Sequence, residues 1–260
     1  MERLRQWRAA LSRRWNACVC RFLRREGARL LAGRPSLDAR FSLFILRLLA
    51  KTPRPGAERA IDAASLEALT ACAACGASHP AMAENGLIGD QRPLARVRFG
   101  TRGNTAEHGC GWIAAYNARR LLGEDVRPEA VLSDLRRGAR SGGRMGADPF
   151  FLLKYFRALG YSVRLCTAAD EMERESRACD AFILCYLYAA GDGSPGGHFA
   201  AGAFDTAENG FRVYNGERGK AELCAAFLSI APRNTLLRNE SEPDQGNASS
   251  ESGASPRNHG

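Results

Sequence analysis

The chain predicts an α+β domain in which helices come first and a mostly antiparallel sheet follows. Up to Leu159 apolar residues recur at three- and four-residue spacings, the period of helices packed on a core. From Tyr161 to Asn215 they give way to short apolar runs bounded by glycine or acidic turns, the pattern of strands. The last two of these runs are joined by the turn Asp205 to Gly210, which makes them a hairpin. At 260 residues and 45% hydrophobic, the chain can bury one substantial core with appendages.

A helical arm is expected over 2–32 and a second apolar helix over 36–51, before Pro53-Arg54-Pro55-Gly56 breaks the pattern. A further helix runs from Asp62 to Cys75, and a loop-rich stretch leads to a helix from Cys110 to Leu122 with Trp112, Ile113, Ala115, Tyr116 and Leu121 on its packed side. Pro128 to Arg137 reads as a helix and Ser141 to Gly146 as a flexible loop. Pro149 opens a helix carrying Phe150, Leu153, Tyr155, Phe156 and Leu159, which Gly160 ends. Strands are expected at Tyr161–Cys166, Ala181–Tyr188, His198–Phe204 and Phe211–Asn215, and a helix from Lys220 to Leu228 closes the fold. From Asn239 onward Ser, Asn, Gly, Pro and Glu dominate, the composition of disorder. The organisation is thus a basic helical arm (1–60), one domain (61–238) and a disordered tail (239–260). No internal repeat or phosphate-binding glycine motif is present.

Chemistry concentrates on Cys110. It opens its helix between Gly109 and Gly111, where unpaired N–H groups and the helix dipole favour a thiolate and small neighbours admit a carbonyl. A base is needed to complete a nucleophile, and His198 enters its strand from a glycine-rich turn. The hairpin brings Asn215 back toward His198, where its side-chain oxygen is expected to accept the far imidazole N–H and fix the ring. His108, two residues before Cys110, is a competing imidazole in a loop.

A helix-opening Cys-Gly, a later Gly-His-aromatic strand and an Asn or Asp some 17 residues on resemble the papain-like bacteriocin-leader peptidases and their stand-alone relatives. The resemblance spans roughly Arg98 to Asn215. It implies a papain-like fold with the nucleophile helix packed against the sheet, and roles of nucleophile for Cys110, base for His198 and orienting residue for Asn215. Where that family has an oxyanion-stabilising glutamine six positions before the cysteine, this chain has Asn104. The expected activity is a cysteine peptidase cleaving a peptide or isopeptide bond in a peptide or protein substrate, through a thioester. Two alternatives are an amide or thioester acyltransferase or deamidase using the same residues, and a non-catalytic protein-binding module of papain-like shape. The export machinery attached to the leader peptidases has no counterpart in this sequence, so their double-glycine substrate is not carried over.

Nine cysteines, an odd number, fit no repeating disulfide framework. Cys166, Cys179, Cys185 and Cys224 lie in or beside apolar segments as packing residues. Cys72, Cys75 and His79 have the spacing of three metal ligands or, for the cysteines, of a redox pair, yet no fourth ligand follows, so small residues of an Ala-rich helix are the reading adopted. No cofactor and no metal are expected. Residues 1–60 hold 15 Lys or Arg against four Asp or Glu, a net +11 within a total of +9, so the remaining 200 residues are near −2. In the arm Leu4, Trp7, Leu11, Trp15, Cys18 and Phe22 form an apolar stripe ringed by arginine. Packing on the domain or a protein partner is favoured for residues 1–32 over an anionic membrane surface, and nucleic acid is not expected. With no run of 18 uncharged apolar residues and no signal-like segment, the expected location is cytoplasmic, with peripheral membrane association through the arm.

Overall fold

A computed structural model describes residues 61–100, 103–136, 146–189, 195–216 and 222–232. The helices expected over 2–32 and 36–51, the 141–145 part of the flexible loop and the disordered tail lie outside the described residues. Helix α1 (Ala63–Cys75) starts where the Asp62 carboxylate accepts the Ser65 N–H at 2.9 Å, and it buries Ser65, Leu69 and Cys72 along one face. A two-residue antiparallel ladder, β1 (Arg98–Phe99) and β2 (Gly103–Asn104), then leads into the single-turn helix α2 (Thr105–His108). Helix α3 (Cys110–Leu121) follows after Gly109, and its first nine residues are all buried. Helix α4 (Pro128–Arg136) and helix α5 (Pro149–Ala158) both begin on proline. The Asp148 carboxylate caps α5 by accepting the Phe151 N–H at 2.7 Å, and Gly160 leaves it at φ +91°.

Beyond Gly160 come β3 (Ser162–Cys166), helix α6 (Ala169–Ala178), β4 (Ala181–Ala189), β5 (Pro195–Asp205), β6 (Gly210–Tyr214) and β7 (Glu222–Ala231). The strands form one sheet in the order β3-β7-β4-β5-β6, with every neighbouring pair antiparallel. The architecture is therefore α+β, helices packed against an antiparallel sheet.

One element is corrected. The segment expected to form a helix over Lys220–Leu228 is instead β7, the strand inserted between β3 and β4. Its Ala-, Leu- and Phe-rich run suits either state locally, but Ile183 and Ala181 of β4 pair with its Leu228 and Ile230, and β3 pairs with its other edge. Buried ladder bonds on both sides outweigh a helix propensity of tenths of a kcal/mol per residue, about 0–0.7. Helix α6, which the sequence reading left out, covers the sheet face opposite the other helices: Met172 packs there on Cys166, Cys179, Phe182 and Phe227.

The main core lies on the other face. Trp112, Ile113, Ala114 and Ala115 of α3 join Ile183, Phe199, Ala201, Leu228 and Ile230 from the sheet in one contiguous cluster. Each fully buried Ile, Leu or Phe stabilises the fold by roughly 1.5–3 kcal/mol, so the α3–sheet contact contributes several kcal/mol. It also sets the site, because α3 begins with Cys110 and rests against β5, which carries His198.

Candidate active site

Three groups hold the start of α3. Gly109 makes the α2–α3 corner, its N–H donating to the Thr105 carbonyl at 2.9 Å and its own carbonyl accepting the Trp112 and Ile113 N–H groups. The Trp112 indole N–H donates to the Thr105 hydroxyl at 3.1 Å, which locks the one-turn helix onto α3. Gly111 faces Ala147, where a Cβ would lie 2.5 Å from the Ala147 methyl. Cys110 is thereby fixed as the first residue of a buried helix, 6% exposed, with the Cys110 and Gly111 N–H groups ahead of the first intrahelical acceptor.

The sheet supplies the imidazole. His198 pairs with Tyr186 of β4 in the ladder, and its ring stands 5.4 Å from the Tyr186 ring and 6.4 Å from the Tyr188 ring, centroid to centroid. Its Nε2 is bonded at 2.5 Å to the main-chain carbonyl oxygen of Asn215. A carbonyl only accepts, so Nε2 carries the proton, and in the neutral ring Nδ1 then bears the lone pair. That assignment follows from the hydrogen-bond network rather than from an observed proton.

Asn215 is thus beside His198, but not through the atom the sequence reading assigned. Asn215 leaves β6 at φ +58°, a left-handed conformation that asparagine tolerates, and offers its backbone oxygen to the ring. Its carboxamide is engaged elsewhere. Asn215 Oδ1 accepts the Gln91 N–H at 3.1 Å and Nδ2 donates to Gln91 Oε1 at 3.0 Å, while Gln91 Nε2 donates to the Ala106 carbonyl of α2 at 2.7 Å. The imidazole Nε2–H is already given to the Asn215 main-chain oxygen, and the carboxamide is turned toward Gln91.

A continuous path therefore runs from His198 through Asn215 and Gln91 to Ala106, four residues before Cys110. Among the described residues no hydrogen bond joins the Cys110 thiol to the imidazole; the two are related by the packing of α3 on β5. Catalytic hydrogen bonds are often long before substrate arrives. Asn104 is the N-cap of α2, its Oδ1 accepting the Glu107 N–H at 2.9 Å, which leaves its NH2 group for any oxyanion contact. The competing imidazole, His108, lies at the end of α2 with Nε2 3.4 Å from the Glu107 carboxylate.

Gln91 and Asn117 escaped the sequence reading. Asn117 is fully buried on α3 and brackets Ile88, accepting its N–H and donating to its carbonyl, both at 2.8 Å. The Tyr116 hydroxyl donates to the Gly86 carbonyl at 2.8 Å, so α3 fixes the loop from which Gln91 reaches Asn215. Asn117 did carry a signal, a polar residue on the buried side of an apolar helix. Gln91 carried none, because only the folded chain places it against residue 215.

Three further buried thiols are poorly suited to be nucleophiles. Desolvation pushes Cys72 up to about 11, Cys166 up to about 12 and Cys179 up to about 11, so all three stay protonated at neutral pH. Cys72 is buried and Cys75 exposed on α1, and the His79 ring Nδ1 accepts the Ala81 N–H at 3.1 Å. Among the described residues no group of three or more His, Cys, Asp and Glu is placed to hold a metal ion. No described helix is long and apolar enough to cross a membrane. No protein-family model matches the sequence, and no curated protein matches it.

Proposed function

We propose that this chain is a cysteine-dependent acyl-transfer hydrolase of papain-like arrangement, a peptidase acting on a peptide or isopeptide bond. The observation that carries the reading is the imidazole of His198, fixed through Nε2–H on the strand against which the Cys110 helix packs. In this reading Nδ1 of His198 takes the Cys110 proton, and the sulfur attacks the carbonyl carbon. The tetrahedral oxyanion is met by the Cys110 N–H, with the Asn104 amide as second donor. Collapse breaks the C–N bond, His198 returns the proton to the leaving amine, and water then resolves the thioester to a carboxylate and the free thiol. An amine acceptor in place of water turns the same residues to acyl transfer, and ammonia release from a carboxamide turns them to deamidation.

The test is site-mapped alkylation by iodoacetamide at neutral pH, read by mass spectrometry. Cys110 labels fastest in the intact protein and loses that advantage in His198→Ala. Equal labelling of Cys110 and the exposed Cys75, unaffected by His198→Ala, defeats the reading. That result favours a non-catalytic binding module, for which the low exposure of Cys110 and the use of Asn104 as a helix cap already speak. The basic arm of residues 1–32, with its apolar stripe, is proposed as an element that covers the site or recruits a protein partner or an anionic membrane surface. Removing it and repeating the alkylation separates cover from recruiter, since only a cover raises the Cys110 rate.

A further inference from the structure

We propose that Gln91 is a positioning residue of this site: it clamps the Asn215 carboxamide, so that the Asn215 main-chain carbonyl, and not its side chain, holds His198 in register with the helix that begins at Cys110. The proposal rests on the thiol–imidazole reading above. Gln91 is a loop glutamine 19 residues before Cys110, outside the cysteine and histidine motifs, yet it is 91% buried and makes three hydrogen bonds to Asn215 and Ala106. Two go to one partner, Asn215, and pair its donor with an acceptor and its acceptor with a donor. The third crosses to α2 at Ala106.

The geometry divides labour inside one residue. Asn215 at φ +58° presents its carbonyl to His198 while its carboxamide is bound behind it. The strand end after β6 has no ladder partner of its own at this point, since pairing with β5 ends at Tyr214 opposite Ala201. Gln91 supplies the missing tether. The loop bearing it cannot drift, because Asn117 and Tyr116 of α3 hold it at Ile88 and Gly86. The buried amide pair therefore adds, to the packing of α3 on β5, a polar tie between the carbonyl that holds the histidine and the loop that α3 fixes. Buried polar networks of this kind act as a unit, since leaving any member unpaired costs the desolvation of its partner.

The titratable groups on the surrounding elements are Cys110, Tyr116, Arg119 and Arg120 on α3, Cys185, Tyr186 and Tyr188 on β4, Asp205 on β5, Arg212 and Tyr214 on β6, Asp90 and Arg92 on the Gln91 loop, and Glu107 and His108 on α2. Asp90 and Arg92 pair with each other, and Glu107 with His108.

The experiment is a double-mutant cycle on the full chain, with Gln91→Met, Asn215→Gly and the double variant. Methionine keeps the length of Gln91 without its hydrogen bonds, and glycine suits the left-handed φ at 215 while keeping the carbonyl. The readouts are the pH–rate profile of Cys110 alkylation by iodoacetamide and the thermal melt. If Gln91 acts as proposed, each single variant lowers the Cys110 rate in mildly acidic buffer by about tenfold, and the double variant is no slower than either. The rate at high pH, where any thiol is ionised, stays near wild type. A lowered melting temperature with an unchanged pH profile makes Gln91 merely structural and overturns the proposal. So does Asn215→Gly acting far more strongly than Gln91→Met with additive effects, because the carboxamide then holds the ring itself. A wild-type Cys110 indifferent to His198→Ala would instead sink the enzymatic reading beneath it, which is a different outcome from either.

Discussion

Replacing Gly109 by alanine tests whether the α2–α3 corner sets the place of Cys110, the proposed nucleophile. Gly109 sits at φ −85°, ψ −4°, where any residue is comfortable, so its need for glycine is steric and not conformational. A Cβ there would come 2.5 Å from Thr105 Cγ2 and 2.7 Å from both the Thr105 Cα and its carbonyl oxygen, where ordinary contact begins at 3.4 Å. Backbone, not the end of a flexible side chain, must therefore retreat by about 0.7 Å. Thr105 is poorly placed to yield: it is fully buried, its N–H donates to the Val97 carbonyl at 2.7 Å, and its hydroxyl holds Trp112. Overpacking of this kind costs about 1–3 kcal/mol, against which alanine regains about 0.4–1 kcal/mol by restricting the unfolded chain. Because backbone must move, the overpacking lies at the upper end of that range, about 2–3 kcal/mol, and the net loss of about 1–2.6 kcal/mol lowers the melting temperature by roughly 2–10 °C for a domain of this size. The same shift displaces Cys110 against His198, and its alkylation slows by about tenfold or more. Calorimetry and site-mapped alkylation of Gly109→Ala measure both. A melting temperature within about 1 °C of wild type, together with unchanged alkylation, would refute the argument.

Gly202→Ala should be as damaging to stability with no clash at Cys110, because its Cβ would lie 2.5 Å from the Arg212 carbonyl and 2.6 Å from the Phe182 ring, forcing β5 from β6; equilibrium unfolding in urea should show a loss of about 1–3 kcal/mol. Glu124 is the centre of a network in which the Arg119 guanidinium and the Tyr161 hydroxyl donate to its carboxylate. Burial opposes its ionisation, but these bonds and the Arg119 charge outweigh burial and hold it below its ordinary value of 4.5. A depressed carboxylate stabilises the fold fully above that ordinary value and loses its contribution as pH falls through the folded value. Glu124→Gln should therefore lower stability at neutral pH and converge with wild type in strong acid, so parallel melting curves down to about pH 3 would count against it. The thiols of Cys72, Cys166 and Cys179, which burial keeps protonated, should stay unlabelled by iodoacetamide in the folded protein and react only on unfolding; rapid labelling of any of them under native conditions contradicts the burial argument.

What could be read in the sequence was what local chemistry decides. Asp62, Pro128, Pro149 and Gly160 mark helix ends because a cap or a fixed φ acts within a turn of itself, and the helices they predict are there. The hairpin of β5 and β6 was equally legible, since its turn and both its strands are contiguous. Helix α6 was missed because Ala168 gives it no side-chain cap and its ten residues are mostly charged, so no apolar period announced it. The segment now seen as β7 misled for the converse reason. Its residues favour a helix by local propensity, while the partners that make it a strand, Ser162–Cys166 and Ala181–Tyr188, lie tens of residues away.

The same distinction governs the site. Cys110, His198 and Asn215 stood out as residue types at revealing places, a helix mouth and the two arms of a hairpin. Which oxygen of Asn215 meets the imidazole could not be read, because every residue has a main-chain carbonyl and only φ at 215 decides whether it turns toward the ring. An asparagine at that place satisfies two demands at once. It accepts a positive φ at lower cost than a branched residue, and its carboxamide presents both the donor and the acceptor that Gln91 needs. Aspartate would keep an acceptor for the Gln91 N–H but set a carboxylate oxygen against Gln91 Oε1, two acceptors with no proton between them. Asn215→Asp should thus weaken the clamp even though aspartate is the better partner for an imidazolium. Asparagine suits this place because its side chain bonds the glutamine while its backbone, at positive φ, bonds the histidine.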